Sequence, residues 1–85
     1  MTENSMNIYG NMSTAIRYMD AVNGDWLLVV WSPLFIPSLG ESVTIVNRKM
    51  GWDKKGNVFS RSCSYYTHHN VCEIEIGLID VVDLE

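Results

Sequence analysis

The longest unbroken apolar run in the chain is residues 26–31, which opens on Trp26 and closes on Trp31. Asn23, Gly24 and Asp25 punctuate it on one side, Ser32 and Pro33 on the other. A continuous run this short predicts a strand buried on both faces; a helix of the same hydrophobicity would extend over about ten residues or more. It is the expected centre of the sheet.

Upstream, Met12, Ile16 and Met19, with Ala15 and Val22, recur at three- and four-residue steps. That spacing predicts a helix over 11–22, capped by Asn11 or Ser13 and stopped by Asn23 and Gly24. Arg17 and Asp20 would then pair across one i,i+3 step on its solvent side. Residues 1–10 read as a flexible leader, and 11–85 as a single domain. Downstream, Pro33 and Pro37 bracket Leu34, Phe35 and Ile36, an unusually apolar loop, because proline cannot donate to a strand ladder. It would either plug one end of the core or present Phe35 and Ile36 to a partner.

Residues 42–48 alternate as a second strand. A hairpin connection is expected over 51–57, where Lys55, Gly56 and Asn57 suit a turn. A third strand over 58–67 would place Phe59, Cys63 and Tyr65 on one face and Ser60, Ser62, Ser64 and Tyr66 on the other. The cleanest alternation is 71–76, with Cys72, Ile74 and Ile76 inward and Glu73 and Glu75 outward. Pairing these two strands as a hairpin puts Cys63, Tyr65, Cys72 and Ile74 on one face. Gly77 marks a bulge or bend, beyond which the strand continues. The expected architecture is α+β: an N-terminal helix packed on a small antiparallel sheet of about four strands. A small curled β-barrel with one helix is the alternative.

Composition narrows the class. At 85 residues, 47% of them hydrophobic and 19% charged, the chain is long enough for one modest core and is not of the disordered type. No apolar run approaches the ~20 residues of a membrane span. The N-terminus lacks the basic and then apolar pattern of a signal peptide, so a cytoplasmic protein with reduced thiols is expected.

Net charge is −4, but five of six basic residues (Arg48, Lys49, Lys54, Lys55, Arg61) lie close together, and none follows Arg61. Interleaved with Trp52, they make a nucleic-acid-binding hairpin conceivable. Overall acidity opposes it.

Cys63, His68, His69 and Cys72 are soft ligands clustered in sequence, yet their spacing matches no usual zinc framework, so two buried thiols beside a His-rich turn are expected. Glu73 and Glu75 share a strand face at a spacing crudely compatible with acid–base chemistry, but a solvated face explains them equally. For nucleophilic catalysis the only candidates are Cys63 or Cys72 with His68 or His69, on a hairpin with no helix N-terminus and no glycine-rich oxyanion nest, and no enzyme, metal or cofactor is expected.

Three Trp and four Tyr exceed what so small a core absorbs, and such residues anchor interfaces. Phe35, Ile36, Trp52 and Tyr66 are the candidate anchors. Glu73, Glu75, Asp80 and Asp83 would supply a negative patch for a basic partner. Opposite-signed regions also allow a homodimer. In size, acidity and aromatic content the chain resembles, as a class, small inhibitors such as phage-encoded anti-defence (anti-CRISPR-like) proteins and toxin immunity proteins. The resemblance implies a non-enzymatic inhibitor of a basic, nuclease-type protein.

Overall fold

The computed structural model describes residues 13–84. They form five strands: β1 (Ser13–Asp20), β2 (Trp26–Trp31), β3 (Ser42–Asn47), β4 (Trp52–Tyr66) and β5 (Val71–Leu84). No helix occurs among the described residues, and the expected α+β architecture gives way to an all-β fold. The sheet is mixed, in the order β2-β1-β5-β4-β3, and curls into a half-barrel. The barrel alternative anticipated the curl but not the lack of a helix. The leader over 1–10 lies outside the described residues, as does the beginning of the expected helix.

The segment expected to be helical is β1, because it satisfies a period of two as well as one of 3.6. Ile16 stands opposite Val30 of β2 and Ile74 of β5, and Tyr18 opposite Leu28 and Ile76. Ala15 before them and Arg17 between them face the other way, Arg17 opposite Val29 and Glu75. Hydrogen-bonded neighbours on both sides, one antiparallel and one parallel, hold this segment extended and override its helical spacing.

The run 26–31 is a strand, but an edge strand. Its only ladder partner among the described residues is β1, and Trp26, Val29 and Trp31 are exposed. The centre of the sheet is β5, flanked by β1 and β4. The alternation read in 71–76 is borne out: Ile74 and Ile76 are buried, and Cys63 and Tyr65 stand opposite Ile74 and Cys72.

The hairpin connection lies earlier than 51–57. Asn47 nucleates it, its side-chain oxygen accepting from the Met50 N–H (3.0 Å) and its carbonyl from the Gly51 N–H (2.8 Å). Gly51 takes φ 77°, the left-handed conformation that glycine adopts without penalty. Trp52 to Asn57 therefore pair with β3 as strand. Gly56 is there for proximity: an added Cβ would come within 3.1 Å of Leu78 Cβ and of Val81 Cγ2.

Two bulges bend the β4–β5 ladder. One inserts Phe59 between the Val58–Leu78 and Ser60–Gly77 pairs, beside the glycine expected to mark a bend. It turns Phe59 out to 62% exposure instead of aligning it with Cys63 and Tyr65. The other sets Asp80 and Val81 against Gly56, with Asp80 at φ 55°. Bulges increase twist and curl.

The core cluster gathers Ile16, Tyr18, Ile45, Val58, Ile74, Ile76 and Leu78. Residues 32–41 connect the two edge strands and are anchored to β4 at their far end. Pro37 is fully buried, and the Gly40 N–H donates to the Val58 carbonyl while the Val58 N–H donates to the Glu41 carbonyl.

Candidate functional site

Two features of the chain place unusual chemistry at the surface. The first is β2 with the loop that follows it. Strand alternation turns Val29 and Trp31 to the outer face with Ala15 and Arg17, while Leu28 and Val30 point to the core side. Trp26 is 54% exposed and Trp31 60%, so large aromatic area stands in solvent at both ends of one short strand. Leu34 and Phe35 follow directly, also largely exposed. Because the half-barrel does not close by hydrogen bonds between β2 and β3, a groove of about 380 Å³ remains beside β2. Tyr18, Leu28, Val30, Phe35, Val43 and Ile45 are among its lining residues. Burial pushes the Tyr18 phenol above the usual tyrosine range.

Arg17 ties this surface to the centre of the sheet. Its Nη2 lies 3.0 Å from Glu73 Oε1 and 3.6 Å from Glu75 Oε2, and its guanidinium carbon sits 4.2 Å from the Trp26 ring centroid. The strand ladder imposes this, since Arg17 is opposite Glu75 in register and one step from Glu73. The pairing of Arg17 with Asp20 expected on a helix is absent from the described ion pairs; Asp20 instead accepts from the Val22 N–H at 2.9 Å.

The second feature is the Cys63–Cys72 pair, whose sulfurs are 3.4 Å apart on neighbouring strands. Both are free thiols; Cys63 is exposed and Cys72 half-buried, not buried in the core as expected. Burial, then the hydrogen bond and charge coupling to Cys63, push the Cys72 thiol up. His68 and His69 lie in the exposed turn beyond β4. Among the described residues no three His, Cys, Asp or Glu side chains come together to hold a metal ion.

The other residues singled out from sequence are dispersed. Phe35 and Ile36 are exposed as candidate anchors, and Tyr66 is exposed at the far end of β4. Trp52 is half-buried and packs against the core. Glu73 and Glu75 carry a cation between them, and Asp83 accepts from Lys54 Nζ at 2.6 Å. Asp80 occupies the bulge. Of the basic set, Arg48 and Lys49 sit in the β3–β4 turn, and Lys54 lies 5.5 Å from the Trp52 ring. Lys55 is exposed. Arg61 is six residues further along β4, about 20 Å at ~3.3 Å per residue. The basic residues therefore do not form one compact stripe.

Sequence reasoning missed Trp26, Val29 and Trp31, which it assigned to the interior. The available signal was a tryptophan at each end of the run, next to a proline-bracketed apolar loop. Among the described residues no helix is long and apolar enough to cross a membrane. No protein-family model, curated protein or solved structure shows significant similarity to the chain.

Proposed function

We propose that this protein works without catalysis, by binding another protein along β2 and the loop that follows it. The observation that carries this reading is the pairing of β2 with β1 alone, among the described residues, while Trp26 and Trp31 stand exposed at its ends. An apolar edge strand is a template for adding a further strand. Main-chain hydrogen bonds would supply affinity. Alternate side chains of the added segment would enter the groove or lie over the Trp31 face, and so supply specificity.

Tryptophan anchors of this kind carry much of the energy in protein interfaces. The titratable groups that do meet on this side, Arg17 with Glu73 and Glu75, are ion-paired on an open face and leave one net negative charge, which suits a binding surface better than a reaction centre. The formal charge of −4 favours a partner with a basic surface, and occlusion of such a surface is the inhibitory role this reading implies.

The test is capture from host lysate on the immobilised protein after nuclease treatment, comparing wild type with Trp31→Ala/Phe35→Ser and with Lys54→Ala/Lys55→Ala. A specific protein retained by wild type and by the lysine variant, but lost from the Trp31/Phe35 variant, is the expected result. Equal retention by all three, or capture abolished by nuclease and by the lysine changes, overturns it. The second of these outcomes would return the basic segment of β3 and β4 to the front.

A further inference from the structure

Cys63 and Cys72 are diagonal neighbours across the β4–β5 ladder: Cys63 stands opposite Ile74, and Cys72 opposite Tyr65. Their sulfurs, 3.4 Å apart, are in contact but well outside the ~2.05 Å of a bond. The two thiols are also unequal. Cys63 is exposed and open to a reagent, whereas Cys72 is half-buried behind it. Around Cys63, β4 is held in the sheet by β5 alone among the described residues, because β3 pairs only with the stretch from Trp52 to Asn57. Forming the bond requires the sulfurs to approach by about 1.35 Å, and this half of β4 has no second ladder partner among the described residues to resist that approach.

We infer that Cys63 and Cys72 form a redox-active dithiol that small disulfides such as glutathione disulfide convert to an intramolecular disulfide. In the first step the Cys63 thiol gives its proton to solvent, and its thiolate attacks one sulfur of glutathione disulfide. That S–S bond breaks, one glutathione leaves as thiolate and takes up a proton, and a mixed disulfide remains on Cys63. In the second step Cys72 loses its proton to solvent and attacks Cys63 Sγ, expelling the second glutathione, which is likewise protonated. The two protein thiols are oxidised, and one glutathione disulfide is reduced to two glutathiones. Attack requires the thiolate. Cys63, the exposed thiol, is the entry point, and the half-buried Cys72 beside it acts as the resolving thiol. The bond would staple the edge half of β4 to the central strand of the sheet.

The experiment is titration of the reduced, full-length protein with glutathione disulfide, read by intact mass under non-reducing conditions. Wild type is expected to lose two hydrogens as a monomer, and dithiothreitol to restore them. Cys72→Ser should accumulate one glutathione on Cys63, and Cys63→Ser should react at least tenfold more slowly. The quotient [GSH]²/[GSSG] at half-conversion should be at least tenfold higher for the native protein than for the same chain in concentrated urea, since the fold positions the sulfurs. A wild-type protein that stops at the glutathione adduct, links only between chains, or closes equally well when unfolded overturns the inference. The wild-type measurements decide it even if either serine variant fails to fold.

Discussion

Arg17 lies over the indole of Trp26, its guanidinium carbon 4.2 Å from the ring centroid, while the same side chain reaches Glu73 and Glu75 on the opposite neighbouring strand. One residue thus bridges β2, β1 and β5 on the outer face. It holds the exposed edge strand to the centre of the sheet. The contact also fixes one face of Trp26, so the aromatic surface offered by β2 is positioned before any partner arrives.

Arg17→Ala should destabilise the fold by about 0.5–2 kcal/mol. The cation–π contact contributes roughly 0.5–1 kcal/mol and the partly exposed ion pairs up to about 1 kcal/mol. Urea unfolding measures it. In the Arg17→Ala background, Glu73→Gln and Glu75→Gln should cost less than in wild type, because their shared cation is gone. Equal costs in both backgrounds would show that the bridge is energetically idle.

Gly77→Ala should cost about 1 kcal/mol, because the new Cβ meets the hydroxyl of Ser60 directly across the ladder and that side chain must turn away. Ser60→Ala removes the clashing oxygen and leaves its Cβ at 3.7 Å, an ordinary contact. The double variant should therefore recover most of the loss. Thermal unfolding of the four proteins of this cycle checks it.

Ile76 is fully buried between β1 and β4, so Ile76→Ala should cost about 2–5 kcal/mol. Val29 is 47% exposed on the edge strand, and Val29→Ala should fall within about 0.5 kcal/mol. Denaturant midpoints of the two variants test whether β2 is an edge. A loss at Val29 as large as that at Ile76 would place β2 in the interior.

Stability should fall at alkaline pH. Tyr18 is 8% exposed, and burial raises its phenol above the ordinary value near ~10. Its proton is thus held more tightly in the folded state than in the unfolded chain. The stabilisation is complete below the unfolded pKa and is lost as pH rises through the raised, folded one. The Cys72 thiol, raised by burial and by its neighbour Cys63, adds a loss of the same sign beginning from the lower range of thiols. Urea midpoints measured between pH 8 and 11 should decline, and Tyr18→Phe should flatten the upper part of the decline.

The pattern along the chain was sufficient to find four of the five strands, 26–31 by its unbroken apolar run and the others by alternation, although residues 52–57 of β4 read as a hairpin connection. Residues 42–47 and 71–76 alternate most plainly, and their inward residues Ile45, Ile74 and Ile76 are buried as the alternation requires. The parity that sets Cys63 and Tyr65 beside Cys72 and Ile74 was legible for the same reason.

Residues 13–20 were not legible. Their apolar positions satisfy both a helical and an extended period, and local spacing carries no information about which distant strands will offer hydrogen bonds. Only the docking of this segment between β2 and β5, one of them parallel, decides in favour of a strand. The position of the 26–31 run within the sheet was undetermined likewise: hydrophobicity records how much a segment would gain by burial, whereas the number of its neighbours is set by strand order. That order leaves β2 at an edge and carries its tryptophans to the surface. The candidate site exists for this reason. The sequence by itself determined the alternating strands and the supply of aromatic side chains; the tertiary structure decided which of them the core would leave uncovered, because burial depends on neighbours brought together from far along the chain.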